Sequence, residues 1–526
     1  SMERQRVEVL ARQIQAGFTE EQHVRRRLEG NRCLTPEVVQ LLEDCAGKEN
    51  VFTAGAELEK HAQDHSHHLP SPPEMVIYAR TTDMISGIMR ICNSHRVPVT
   101  PCGARTGLEG GSIPVGGGVS LDLSKMNRVL KLYKDELQVH VQAGIKKEAL
   151  NEQLESEGLF FQVDPASNPS LGGMAATGSS GTLCCKYGTM KENVVSLTVV
   201  MADGSIVTTR RRTRKNSTGY DLTHLCMGQE GTLAVIAELI VKVTPRPAGE
   251  SSLRVCFDTL QACSRAVVRL KQAQLSLSRV ELLNTQSIIS LNESQQKKKN
   301  STPDAEAFQL EPVPTLFLQV HASSMEKAAQ EMDSAKDIAE KEGGRSFVLA
   351  TDQDEQEKLW DLRRGAYFAC QSNRQHLVAR GATDVRMLST DVCVPLSDFP
   401  SLIEETEQDY AATAKETGIP FLCNIFGHAA DGNFHCLVLF DHGNPKEVEV
   451  LEQLDRRMWA RALAHGGVVS GEHGAGMGKV SALTQEWGSE AIGIMWRIKK
   501  CLDEHEILNP GKLLPSRKAC WKACCK

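Results

Sequence analysis

The sequence predicts an α+β protein with two main domains, one opened by a parallel βαβ unit and the other built on an antiparallel sheet. Three observations carry this prediction. The chain has 526 residues, whereas single hydrophobic cores stop growing at roughly 250–300 residues, beyond which chains divide. In the first half, "MVIYA", "TTDMISGIMRICNSH" and "VPVTP" read as strand, helix and strand in succession, the pattern of a parallel crossover. In the second half, "SLRVCF", "LQACSRAVVRLKQA", "VELLN" and "PTLFLQVHA" run strand, helix, strand, strand with few glycines, which suits an antiparallel sheet. Composition is that of a globular chain, with 41% hydrophobic and 24% charged residues. The 60 Lys+Arg against 66 Asp+Glu give a net charge of -6, which argues against a nucleic-acid partner. No run approaches the ~18–20 continuous apolar residues of a membrane span.

Up to His68 the pattern is helical. "TPEVVQLLEDC" offers Thr35 as an N-cap and Val38, Val39, Leu41 and Leu42 as an apolar side. Near the start, Arg4, Arg6 and Arg12, with Val7, Leu10, Ile14 and Phe18 on one helical face, resemble a mitochondrial presequence, against which Glu3 and Glu8 count. "RVEVLARQI" lies one residue away from a peroxisomal N-terminal signal, and a cytosolic location is the further alternative. In the βαβ helix, Ile85, Ile88, Met89 and Cys92 face inward. "GVSLDL" and "LQVHVQAG" are strands, "KKEALNEQLESEG" is a helix, and Asp164 to Gly181 is a long Gly/Ser-rich stretch. "LTVVMADGSIVT" is a hairpin turning at Asp203-Gly204. "GTLAVIAELIVKVTPRP" closes the block. The polar, aperiodic "NESQQKKKNSTPD" reads as a surface insertion. From Asp455 the chain is helical except at a glycine run. The 17 cysteines are odd in number and scattered among apolar positions, so buried reduced thiols are expected rather than a disulfide framework. The "CWKACCK" tail, with Cys520, Cys524 and Cys525, is read as a frayed end. The expected divisions are 1–68, 69–249, 250–465, 466–515 and 516–526.

Chemistry concentrates at four places. "PVTPCGARTGLEGGSIPVGGG" follows a strand, so its amides can form a concave nest for a phosphate-like anion. It has neither a Gly-Lys-Ser/Thr ending nor G-x-G-x-x-G, so a P-loop and a Rossmann site are not supported. Glycine content alone favours a flexible loop, but the second such stretch, Asp164 to Gly181, makes two linkers in one domain hard to defend. "FLCNIFGHAADGNFHCLVLF" places His428 and His435 at the mouth of a hairpin whose turn is Asp431-Gly432. Two imidazoles there can share an ion, although ordinary structural histidines are the simpler reading of that pair alone. His65, His67 and His68 read as a solvated loop. "GVVSGEHGAGMGK" sets Glu472 and His473 within glycines, which suggests close approach of a ligand to the backbone.

Together with "YGTMKENV", "GQEGTLAVI", "TDVCVP" and "NPGKLLP", these segments resemble the FAD-linked D-lactate dehydrogenases of the vanillyl-alcohol-oxidase group, in the family's order from about residue 50 to 515. The resemblance implies a two-domain PCMH-type FAD-binding fold, an antiparallel-sheet α+β cap domain and a C-terminal helical segment. It implies FAD contacts at Gly103, Thr106, Gly107, Gly110 and Gly111, then at Pro165, Gly173, Ala176, Thr177, Gly178 and Gly181, with Gly231, Ile236 and Asn509 from later segments. "GARTGLEGGS" has neither the His nor the Cys of covalent relatives, so the flavin is expected to be noncovalent. By the same resemblance His428, His435 and Glu472 hold a divalent metal, Zn2+ or alternatively Mn2+. His473 is the general base and Arg363, rather than the adjacent Arg364, holds the substrate carboxylate. Hydride passes from C2 to flavin N5.

The implied reaction is oxidation of D-lactate to pyruvate, with cytochrome c or a quinone as acceptor, in mitochondria; a homodimer is possible, and the oligomeric state is open. D-2-hydroxyglutarate is the rival substrate within the family. Its dehydrogenases carry a lysine where this chain has Ser389, so a small monocarboxylate is favoured. An alkyl-glycerone-phosphate synthase shares the flavin domain, and "GEHGAGMGK" speaks against it.

Overall fold

The computed structural model describes residues 5–15, 34–301 and 309–516. Arg4, Phe18 and the three tail cysteines lie outside them, while 5–15 is helical. The chain forms two compact units, one from 34–181, 188–246 and 472–516, the other from 182–187, 247–301 and 309–471.

The first, which holds the glycine loops, contains two main sheets. Val51–Phe52 (β1), Met75–Tyr78 (β2), Val99–Cys102 (β3) and Val119–Asp122 (β4) lie in the order β1-β2-β4-β3, and β4 pairs in parallel with both β2 and β3. The crossover helix Thr82–His95 is capped by the Thr81 side chain and buries Ile85, Ile88, Met89 and Cys92, the face the periodicity predicts. The second sheet contains Val129–Tyr133 (β5) and Gln138–Gln142 (β6). A short pair follows outside it, formed by Leu159–Phe160 (β7) with a strand named below. The sheet continues with Val194–Val200 (β8), Ile206–Thr208 (β9) and Val235–Lys242 (β10), in the order β5-β6-β10-β8-β9, and Thr244–Pro245 (β11) is the partner of β7. The β8–β9 hairpin turns where expected, with Gly204 at φ +83° and the Asp203 carboxylate accepting from Ser205 N. These sheets share one core, which runs from Val38 and Leu42 through Ile77, Val141 and Leu239 to Leu508.

The second unit has one eight-stranded sheet. Its strands are Gly249–Cys256 (β12), Leu277–Leu283 (β13), Thr315–Ala322 (β14), Arg345–Ala350 (β15), Val385–Ser389 (β16), Val392–Cys393 (β17), Asn424–His428 (β18) and Asn433–Asp441 (β19). The order is β15-β12-β14-β13-β18-β19-β16 with β17 on β19, and every pairing is antiparallel, as expected. Helix Gln353–Ser372 covers part of one face, packing Leu359, Trp360, Ala366 and Ala369 against Leu283, Phe317, Phe426 and Leu437.

Four expectations are corrected. Helix Pro36–Ala46 is capped by Thr35 and buries Val38 and Leu42, but Leu41 is exposed. The Asp164–Gly181 stretch is not loop throughout: Ser170 caps a helix over Leu171–Thr177 that Gly178 ends in the left-handed conformation. Residues 292–301 of the polar "insertion" belong to helix Thr285–Ser301, because Lys and Gln propagate a helix well without an apolar face, and 302–304 lie outside the described residues. Of the three clustered histidines His65 alone is exposed, and His67 and His68 are half-buried with ring centroids 4.4 Å apart. All described cysteines are free thiols. No helix of the described residues is long and apolar enough to cross a membrane.

Candidate active site

In the glycine-loop unit the glycines divide by what a side chain would meet. A Cβ on Gly103 would lie 2.1 Å from Ser170 Oγ, one on Gly110 (φ +72°) 2.6 Å from the Met477 side chain, and one on Gly181 2.2 Å from the Asp164 carbonyl. Those glycines are required by the protein's own packing. At Gly107, Gly111 and Gly178 the nearest atoms would be 3.5, 3.8 and 3.9 Å away, ordinary contact distances, so neighbouring atoms do not require glycine there. In helix Leu171–Thr177, Leu171, Gly172, Met174 and Ala175 are buried while Gly173, Ala176 and Thr177 form the half-exposed side. These bare backbone positions are what a nucleotide lying along two loops requires. Thr106 and Pro165 are also half-buried. Gly231 and Ile236 are buried, Ile236 within the core, and so shape the loop from beneath.

Asn509 ties these pieces together. It is 2% exposed, and its Nδ2 donates to the carbonyls of Gly111 (2.9 Å) and Glu230 (2.6 Å). Glu230, not anticipated from sequence, is buried with φ +52°. Its carboxylate accepts from Ala475 N at 2.7 Å and Gly476 N at 2.8 Å. Burial pushes its pKa up against the pull of those two bonds.

The glycine run itself is therefore explained differently from the sequence expectation. A Cβ on Gly474 would lie 2.7 Å from Glu230 Oε1, one on Gly476 2.0 Å from Glu109 O, and one on Gly478 2.3 Å from Glu109 Oε2. What approaches the backbone at these three positions is a pair of buried glutamates, and Lys479, 1% exposed, pairs with Glu109 at 3.1 Å. Within this frame Glu472 accepts from Ser180 Oγ at 2.6 Å, and His473 is half-buried. His61, Cys102 and Asp122 also cluster in this unit. Arg105 Nη1 lies 2.7 Å from Asp122 and 2.9 Å from His61 Nε2, so a guanidinium already supplies the positive charge there.

In the eight-stranded unit, His428 at the end of β18 and His435 on β19 face each other with ring centroids 5.6 Å apart. The turn between them is short, with Gly432 at φ +71°. His428 Nδ1 bonds Glu281 Oε1 at 2.7 Å and His435 Nδ1 bonds the Thr390 carbonyl at 3.2 Å. Donating through Nδ1 puts the lone pair of each ring on Nε2, the tautomer that ligates a cation. Two buried imidazoles in that state fit a divalent metal. Arg363, on helix Gln353–Ser372, is 7% exposed, and its Nε and Nη2 donate to Glu281 Oε2 at 3.0 and 2.6 Å. It lies over the Phe426 ring. Arg364 points outward and pairs with Asp361. Glu281 is fully buried; burial would raise its pKa, but His428 and Arg363 hold it below the ordinary carboxylate value.

Sequence reasoning missed Glu281 and its strand neighbour Arg279. Arg279 donates to Thr182 Oγ1 and Gln319 Oε1, both at 2.9 Å, and lies over Trp360. The signal was an acid and an arginine two residues apart on one face of a mostly apolar strand. Ser389, at the end of β16, is 9% exposed.

Comparison with known proteins gives two family matches. Residues 246–513 match the family of FAD linked oxidases, C-terminal domain, and 73–210 match the FAD binding domain family. A probable mitochondrial D-lactate dehydrogenase of Danio rerio is 36% identical over 492 residues, covering 93% of this chain and 94% of that one. A mitochondrial D-lactate dehydrogenase [cytochrome] of Arabidopsis thaliana is 37% identical over 454 residues, covering 86% and 75%. Among solved structures, an alkyldihydroxyacetonephosphate synthase superposes with a TM-score of 0.71 at 19% identity, covering 91% of this chain and 86% of that one.

Proposed function

This chain belongs to the FAD-linked oxidases and is an FAD-dependent oxidoreductase with a p-cresol-methylhydroxylase-type α+β fold, and from that premise we propose that it oxidises D-lactate to pyruvate as a mitochondrial dehydrogenase. The observation that carries the reading is a buried arginine held beside two imidazoles that are each fixed through Nδ1.

Arg363 takes the substrate carboxylate. A guanidinium binds a carboxylate through two parallel N–H bonds, which fixes the position of C2 as well as the charge. His473 takes the hydroxyl proton, since an imidazole titrates near neutrality and loses little driving force in either direction. His428 and His435, with Glu472, hold a divalent metal, Zn2+ or Mn2+. Gly107, Gly111, Gly173, Ala176, Thr177 and Gly178 hold FAD noncovalently through backbone contacts, with Gly103, Gly110, Gly181 and Asn509 fixing the loops. When bound, FAD supplies the hydride acceptor for C2 and the metal supplies a Lewis acid at the hydroxyl.

Ser389 adds no charge where dicarboxylate-using relatives have lysine, and Arg279 is engaged by Thr182, Gln319 and Trp360. A small monocarboxylate is therefore preferred to D-2-hydroxyglutarate. The name of the plant relative carries a cytochrome, in keeping with cytochrome c, or alternatively a quinone, as the electron acceptor proposed here. The fold likeness to the synthase, at 19% identity, extends to architecture and does not bring its reaction with it. Anaerobic mixing of the purified flavoprotein with D-lactate, L-lactate and other 2-hydroxyacids tests the reading. The D isomer should bleach the flavin; bleaching by L-lactate alone, or by no 2-hydroxyacid, refutes it.

A further inference from the structure

Glu281 sits in the middle of β13, opposite His428 in β18, and has no access to solvent. A carboxylate withdrawn from water persists only when every lone pair it exposes is met by a strong donor. Its two oxygens are divided between two tasks. Oε2 receives the Nε and Nη2 edge of Arg363, and Oε1 receives Nδ1 of His428. Bound through that edge, the guanidinium still has its Nη1 end for a second carboxylate, and the Phe426 ring at 4.9 Å lies against its face. Bound through Nδ1, the imidazole has Nε2 as the nitrogen that can ligate a cation, and it cannot rotate without breaking a 2.7 Å bond.

Resting on the proposed function, we propose that Glu281 is a positioning residue that orients both the substrate-binding Arg363 and the metal-binding His428, so that one buried side chain sets the distance between the carboxylate and metal subsites. Removing its charge then loosens both subsites at once, although Glu281 touches neither ligand. A purely structural acid would lower the melting temperature and leave both affinities alone.

The test uses the FAD-loaded full chain and the variant Glu281→Gln, which keeps the shape and loses the charge. Three quantities are read: FAD content, Zn2+ affinity by equilibrium dialysis, and the inhibition constant of propionate, a carboxylate without a hydroxyl that reports on Arg363 alone. FAD content should be unchanged, Zn2+ binding should weaken by roughly 10- to 100-fold, and propionate inhibition should weaken with it. In an Arg363→Ala background, Glu281→Gln should cost propionate affinity nothing further while still weakening Zn2+, because its route to the carboxylate is gone. If Glu281→Gln does not yield soluble flavoprotein, Glu281→Asp should show the same paired losses, since one methylene fewer cannot span both partners. Wild-type values of both affinities in either variant overturn the inference. Wild-type protein that binds no divalent metal and is inert to D-lactate overturns the functional reading first, and the role of Glu281 with it.

Discussion

His321 makes the stability of the eight-stranded unit depend on pH in a calculable way. It lies on β14 and is 6% exposed. Its Nδ1 is 2.9 Å from Tyr187 Oη, a bond in which the neutral ring accepts, and Lys186 Nζ donates to its backbone carbonyl. Burial, then the charges of Arg279 and Lys186, depress its pKa from 6.5 to about 3. The Glu250 carboxylate, 3.7 Å from His321 Nε2, is 40% exposed and too well solvated to reverse this. Because the folded pKa lies below the unfolded one, the contribution is complete above pH 6.5 and is lost as pH falls toward 3, where the unfolded ring takes a proton that the folded ring refuses. At about 1.4 kcal/mol per pH unit, the loss from this one group is about 2 kcal/mol at pH 5 relative to pH 8. His321→Asn keeps an acceptor for Tyr187 and cannot titrate. Urea unfolding of both proteins between pH 8 and pH 5 should show profiles that converge as pH falls, the variant losing about 2 kcal/mol less than wild type. Parallel profiles would refute the assignment of a neutral, buried His321.

The remaining predictions concern the site. Gly107→Ala places a Cβ no nearer than 3.5 Å to any neighbour, an ordinary contact, so it should fold within about 0.5 kcal/mol of wild type and lose FAD, as measured by denaturant titration and the flavin spectrum. Gly181→Ala, whose Cβ would meet the Asp164 backbone at 2.2 Å, should lower stability with or without flavin. His428→Ala, His435→Ala and Glu472→Gln should each lower bound divalent metal and retain FAD, read by metal analysis and absorbance on one sample; full metal content in all three would show the ligands to be misassigned. D-lactate should exceed D-2-hydroxyglutarate in kcat/KM by roughly tenfold or more, and Ser389→Lys should narrow the ratio in steady-state assays. Arg363→Ala should impair both acids, each by about 1.5–3 kcal/mol of lost charge-assisted bonding.

Much of this architecture was legible because the informative residues report on local physics. The inward face of Thr82–His95 follows from 3.6-residue spacing, and the β18–β19 turn from Asp431-Gly432, where Gly432 takes a positive φ. What was hidden depends on residues far apart in sequence. "SRVELLN" alternates like a strand with one wet face, yet helix Gln353–Ser372 covers that face, and so Glu281 became a buried hub instead of a surface acid. The glycines of 474–478 looked like ligand contacts because nothing local reveals that Glu109 and Glu230 return to fill the space beside them. Helix Leu171–Thr177 was obscured by its two glycines, poor helix formers, of which Gly172 is made necessary by tertiary packing against Ala143.

The most direct test of the account is single-turnover reduction of the purified flavoprotein by D-lactate carrying hydrogen or deuterium at C2, without oxygen or added acceptor. The account predicts one pyruvate formed per FAD reduced and flavin bleaching that is slower with the deuterated substrate, because the C2–H bond is the one that breaks. No bleaching, or bleaching without pyruvate, would contradict it.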